Sequence, residues 1–147
     1  MENNIKLFKG GIAVDDRGSL SFVNDFNFEG VKRFYMVENH RNGFIRAWHG
    51  HQFEGKYVCV VSGSALIGAA PLESDGANLV VGKPQKFVLS AKSPAILWVP
   101  PMHANGFKSL EPNTKIIYFS TSTLEESKGD DIRFDYNQPN IWEEDYR

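Results

Sequence analysis

The chain has 147 residues, of which 41% are hydrophobic and 23% charged, and a formal net charge of −2. That is enough chain to bury a core as one domain over residues 1–147, with the composition of an ordinary globular protein. The near-neutral balance supplies no basic field, so neither nucleic acid nor an anionic membrane is expected as a partner.

The lone cysteine, Cys59, excludes an internal disulfide; it fits a reducing compartment and a buried, inert thiol. No run of 18 apolar residues reads as a bilayer span, and "MENNIKLFKG" lacks the basic-then-apolar order of a secretory signal. A cytoplasmic location is expected.

Taken in chain order, the apolar residues recur mostly with period two. The runs are IKLFKGGIAV, SLSFVND, VKRFYMVEN, FIRAWHGHQ, KYVCVVSGSALIGAA, NLVVG, QKFVLS, AILWVPP, NGFKSL and KIIYFST. Rich in Val, Ile, Phe and Tyr, they predict short strands. DDRG, SGS, SDGAN, VGKP and LEPNT separate them as turns. TSTLEESKGDDIR alone predicts a helix, capped by Ser122 or Thr123, with Glu125 and Glu126 in its first turn. The tail NQPNIWEEDYR carries Trp142 and Tyr146, placed to dock on the body or on a partner subunit. The pattern predicts an all-β barrel of jelly-roll type with a short C-terminal helix, whose interior offers a small-molecule pocket.

Within FIRAWHGHQ, His49 and His51 stand two apart, so a regular strand projects both to one face together with Ala47. Arg46, Trp48 and Gly50 then take the other face. A His-x-His pair in a strand, followed by a hairpin with Gly63 at its tip, resembles the first signature of the cupin superfamily. Metal-binding cupins place a Glu where this chain has Lys56, and a His where PPMHANGF has Asn105, with His103 two residues early. A ligand must offer a lone pair, and a lysine ammonium offers only donors and a repelling charge. No metal and no other cofactor is expected. Two histidines, a lysine and an arginine instead make a locally positive pocket, suited to an anionic substrate or a developing enolate. Cations beside an imidazole favour its neutral form, which serves as a general base near neutral pH.

Further motifs make the resemblance more specific. Arg46-Ala47-Trp48-His49, Lys56 in GKYV, PPMHANGF, Tyr118 in KIIYFST and the later DDIRFDYNQPNIW are similar to the dTDP-4-dehydrorhamnose 3,5-epimerases. VKRFYMV (Lys32, Arg33, Tyr35), RAWHGH and the chain length resemble the dTDP-4-keto-6-deoxyglucose 3,4-ketoisomerases. Both are cupin-fold enzymes acting on nucleotide-linked 4-keto-6-deoxy sugars, so the resemblance implies an isomerase in bacterial polysaccharide synthesis. It further implies that His49 removes the proton alpha to the ketone, Lys56 stabilises the enolate oxygen and Tyr118 returns a proton from the opposite face. Arg46 contacts the diphosphate or sugar, and in the ketoisomerase case His51 is the second acid–base group.

The resemblance also implies Arg33, Tyr35 and Asn105 as substrate-binding residues and Arg17, in DDRG, as one lent to the pocket of a neighbouring subunit, and a homodimer is expected. Plainer readings stand beside these: Tyr118 as a barrel-core residue, Lys56 as a surface residue at a strand start, Arg33 and Tyr35 as an ordinary strand face, Arg17 as part of a turn. Phe44, Trp48, Phe53 and Phe107 divide between core packing and stacking on a nucleotide. Because no Ser-x-Lys-Asp segment supplies the Asp that the epimerases pair with their histidine, a non-catalytic sugar-binding cupin is the rival from another class. Chelator treatment is expected to leave proton exchange on a dTDP-4-keto-6-deoxy sugar intact; loss with EDTA and recovery with added metal would refute the metal-free reading.

Overall fold

The computed structural model describes residues 3–147. In chain order the strands are β1 (Lys6–Lys9), β2 (Gly11–Asp15), β3 (Gly18–Phe22), β4 (Arg33–Glu38), β5 (Ile45–His51), β6 (Lys56–Ser62) and β7 (Ser64–Asp75). After them come β8 (Asn78–Val81), β9 (Gln85–Ser90), β10 (Ala95–Val99), β11 (His103–Ser109) and β12 (Lys115–Ser120). The helix α1 (Leu124–Lys128) and the two-residue β13 (Ile132–Arg133) complete the order. Every period-two run of the sequence lies on at least one strand, whereas β13 falls inside the segment read as helical. Gly129 closes α1 after five residues.

All pairings are antiparallel. One sheet runs β1-β10-β6-β12-β4 and the other β13-β5-β11-β7-β8, with β9 also on β7; β2 and β3 form a separate hairpin. The sheets face each other as a jelly-roll barrel. Between them Val58, Val60, Leu97, Ile116 and Tyr118 of the first sheet meet Ile67, Leu89 and Phe107 of the second. Alternation explains the selection, because every second residue of each strand points inward. Two satellite clusters cover the outer faces. Trp48, Leu72, Ala104 and Trp142 pack behind the second sheet, with Trp48 and Trp142 ring centroids 5.2 Å apart. Tyr57, Ile96 and Trp98 pack behind the first, under Val23, Phe26 and Val31. The C-terminal tail therefore docks on the body through Trp142, while Tyr146 is exposed. Among the described residues no helix is long and apolar enough to cross a membrane.

The strand β5 departs from regular alternation. His49 pairs with Asn105 and Arg46 with Phe107, so three steps on β5 oppose two on β11. One extra residue reverses the parity of everything before it. Arg46, expected on the face opposite His49, consequently points to the same side, and Ala47, expected beside the histidines, packs with Trp48 in the outer cluster. Gly106 makes room for this: a Cβ there would lie 2.5 Å from the Ala47 Cβ and 2.8 Å from the Arg46 carbonyl oxygen.

α1 is far too short to persist alone. Thr123 is its cap, its hydroxyl accepting from the Glu126 amide at 3.1 Å while Glu126 accepts from the Thr123 amide at 2.9 Å. These bonds, with Lys32 3.0 Å from the Glu126 carboxylate, hold its pKa down to about 2. Gly106→Ala is expected to cost about 1–3 kcal/mol through overpacking against β5, read as a lower denaturant midpoint with an unchanged slope.

Candidate active site

Inward residues of both sheets meet around a cavity of about 430 Å³. From β4 come Arg33 and Tyr35, from β6 Lys56, and from β12 Tyr118. Arg46, His49 and His51 of β5 and Asn105 and Phe107 of β11 enclose the other side. Of the candidate catalytic and substrate-binding side chains, His49, His51, Lys56, Tyr118, Arg46, Arg33, Tyr35 and Asn105 are thus on one cavity, and Arg17 is not. Arg17 sits at the exposed tip of the β2–β3 hairpin, paired with Asp15 at 2.5 Å, and does not line its own chain's cavity. Of the four aromatic candidates Phe107 alone lines the cavity. Trp48 is buried in the outer cluster, and Phe44 and Phe53 are exposed.

The register explains the grouping on the first sheet. Tyr118 pairs with Tyr35, and Ser120 with both Arg33 and Lys56. The two tyrosine rings stack at 5.2 Å with 12° between planes, and the Lys56 ammonium lies 5.6 Å from each ring centroid. The Arg33 guanidinium lies over the Tyr35 ring, 4.9 Å from its centroid. Lys56 is buried at the start of β6 rather than on the surface, and no carboxylate forms an ion pair with it among the described residues. Its charge is therefore presented to the cavity. Tyr118 is 4% exposed; burial, reinforced by Tyr35, pushes its hydroxyl pKa up, so it stays protonated through the neutral range. Arg46 is steadied from behind by Asn39, whose Oδ1 accepts from Nε at 2.7 Å.

The two histidines differ in their anchoring. His51 Nδ1 lies 2.6 Å from the Asp130 carbonyl oxygen. A carbonyl only accepts, so Nδ1 carries the hydrogen and the lone pair is at Nε2. That Nε2 is buried without a hydrogen-bond partner. His49 Nδ1 stands 4.0 Å from Asp131 Oδ1, a looser electrostatic contact at a half-buried position. Burial lowers both imidazole pKa values. Lys56 lowers them further, Asp131 opposing the shift at His49, and the Asp130 hydrogen bond and Glu54 opposing it at His51. Cations were the cause expected from sequence; desolvation is the larger one.

The carboxylates beside the histidines come from residues not selected in the sequence as their partners. Glu54 is buried between His51 and Arg33, and Asp130 and Asp131 follow α1. Asp130 accepts from the backbone amides of Gln52, Phe53 and Glu54 at 2.7–3.0 Å. The consecutive Asp130-Asp131 after Gly129 was the available signal, read in the sequence as a family motif and a helix end. α1 itself adds Leu124, Ser127 and Lys128 to the cavity wall.

This donor set does not fit a divalent cation. An ammonium replaces the expected carboxylate, and among the described residues no three His, Cys, Asp or Glu side chains gather as ligands. What the arrangement offers is neutral imidazoles as bases, a buried ammonium for developing negative charge and a protonated phenol as acid.

Since each histidine pKa lies below the ordinary 6.5, the unfolded chain takes up protons first as pH falls. The neutral-imidazole contribution to stability is complete above about pH 6.5 and is lost as pH drops through the lower folded values. The denaturant midpoint should fall between about pH 7 and pH 5, and His51→Gln should flatten that slope.

The family described as dTDP-4-dehydrorhamnose 3,5-epimerase matches residues 4–144. The solved structure of dTDP-4-dehydrorhamnose 3,5-epimerase from Sulfolobus tokodaii is 26% identical with a TM-score of 0.73, covering 94% of this chain and 82% of that one. ChmJ, a 3'-monoepimerase from Streptomyces bikiniensis in complex with dTDP-quinovose, is 17% identical at TM-score 0.77, covering 97% and 77%. QdtA, a sugar 3,4-ketoisomerase from Thermoanaerobacterium thermosaccharolyticum in complex with TDP, is 17% identical at TM-score 0.67, covering 94% and 93%. These last two likenesses are of fold. No curated protein matches.

Proposed function

This chain belongs to the dTDP-4-dehydrorhamnose 3,5-epimerase family, and we propose that it isomerises a nucleotide-linked 4-keto-6-deoxy sugar without a metal, in bacterial polysaccharide synthesis. The observation that carries the proposal is the meeting of His49, His51, Lys56 and Tyr118 on one cavity. A 4-keto group acidifies the neighbouring C–H bonds. His49, kept neutral by burial, takes the proton; Lys56 holds the enolate oxygen; Tyr118 returns a proton to the other face. Arg33 and Arg46 bind the anionic diphosphate or the sugar, with Tyr35 and Asn105 completing the wall.

A 3,4-keto shift is the second reading, and the buried second imidazole of His51 favours it, since that reaction moves a proton between adjacent carbons. Orphaned buried polar atoms at Arg33 Nε and His51 Nε2 favour a site that engages a ligand. The non-catalytic alternative leaves the neutral imidazole and free ammonium without a task. A homodimer belongs to the same proposal. Exposed Phe34 and Met36 on β4, and Val14 and Leu20 on the β2–β3 hairpin, supply apolar surface for it and for an Arg17 reaching a neighbouring cavity.

Incubation with dTDP-4-keto-6-deoxyglucose in D2O, followed by NMR, tests the reading. Deuterium at C3 and C5 is the epimerase result, and deuterium at C4 with the carbonyl moved to C3 is the keto-shift result. His49→Ala should abolish exchange, and absence of exchange in the unaltered protein overturns both readings.

A further inference from the structure

The buried carboxylate of Glu54 has no part in the chemistry described so far. Its side chain is fully shielded from solvent and joins four elements. Ser120 of β12 donates to Oε2, Ser127 of α1 donates to Oε1 at 2.9 Å, the Arg33 guanidinium of β4 stands 3.7 Å from Oε2, and His51 Nδ1 of β5 stands 3.4 Å from Oε1. A carboxylate withdrawn this completely from water is costly unless its partners compensate it. The bonds from both serines and the nearby guanidinium do so, and they fix its position within reach of the imidazole.

Together with the Asp130 carbonyl, Glu54 faces only the Nδ1 side of the ring. The opposite nitrogen, Nε2, is buried, lacks a partner and belongs to a residue of the cavity wall. We propose that Glu54 is a positioning residue for the reaction, holding His51 in the Nδ1–H tautomer with Nε2 towards the substrate and stabilising the imidazolium formed when Nε2 takes a proton. This rests on the isomerase reading above, with His51 as its second acid–base group.

The step balances simply. The substrate C–H or O–H bond breaks as the Nε2–H bond forms. The electron pair stays on the sugar, and the positive charge on His51 appears 3.4 Å from a carboxylate that was in place beforehand. The charged and titratable groups facing His51 are Glu54 from its own loop, Asp130 from the segment after α1, Lys56 from β6, His49 along β5 and His103 across on β11. Lys56 opposes the imidazolium, so Glu54 and Asp130 are the groups that favour it. Arg33, on the far side of Glu54, tempers but does not replace that effect.

Glu54→Gln keeps shape and an acceptor for the serines while removing the charge. The experiment is heteronuclear NMR titration of His51 in the full chain, combined with kinetics on dTDP-4-keto-6-deoxyglucose. The unaltered protein is expected to show Nδ1 protonated and Nε2 bare. Glu54→Gln should lower the His51 titration point and reduce kcat by about 100-fold with little change in KM. The acid limb of the kcat profile should move to lower pH.

Ser127→Ala, which leaves the carboxylate one donor fewer, should move the His51 titration upward. A merely structural role moves both variants the same way. An Nε2–H tautomer, or a His51 titration that Glu54→Gln leaves in place, overturns the proposal, and Ser127→Ala decides it if Glu54→Gln does not fold. Failure of the unaltered protein to process the sugar refutes the isomerase reading, while the titrations still decide the role of Glu54.

Discussion

The site depends first on the Asp130 clamp. Three successive backbone amides, of Gln52, Phe53 and Glu54, converge on its carboxylate, and its own carbonyl receives His51 Nδ1. A loop between two strands would otherwise leave those amides to water. Gathering them on one buried acid turns the β5–β6 connection into a fixed edge of the cavity. The clamp reaches across 77 residues of sequence to Phe53, which makes the last turn of the chain around the barrel a condition for the placement of the His51 ring. Asp130 is in turn held by α1, where its amide donates to the Ser127 carbonyl at 3.0 Å. Helix, loop and histidine therefore order together.

The second constraint is the extra residue in β5. A regular strand could not present Arg46 and His49 to the same side, because they are an odd number apart. Spending one residue on a bulge puts a guanidinium and two imidazoles on one short segment, while Trp48 turns outward to anchor the C-terminal tail through Trp142. The cavity side and the packing side of β5 are thus separated within four residues. Gly106 on the facing strand is the counterpart of that bulge, since a Cβ there would force Arg46 and Ala47 to shift.

Strands and their inward faces were legible because burial on one face writes period two into the sequence. His49, His51, Lys56, Tyr118, Arg33 and Tyr35 were legible because they fall on such faces in a recognisable order. The parity of Arg46 was not, since a bulge inserts a residue without changing composition or turn signals. Nor were the partners of the histidines. Asp130 lies 79 residues from His51, and Glu54, though three residues on, lies in the loop beyond β5, so a pattern of nearest-neighbour periodicity carries no information about either contact. The helix was predicted too long for a related reason. Its capping residues mark a start clearly, whereas Ile132 and Arg133 become a strand only because the edge of β5 is there to pair with.

The helix that lines the cavity mouth contains no buried residue. Leu124, Ser127 and Lys128 face the ligand space from an element whose packing contributes little to the core. Most substitutions at Leu124 and Lys128 are accordingly cheap for folding, yet each alters the shape and charge of the cavity wall. In evolutionary terms α1 is where such a barrel can change the wall of its cavity while the residues on the inward faces of the strands stay under separate selection. Ser127 is the exception: tied to Glu54, it is the point at which a change at the entrance reaches the interior.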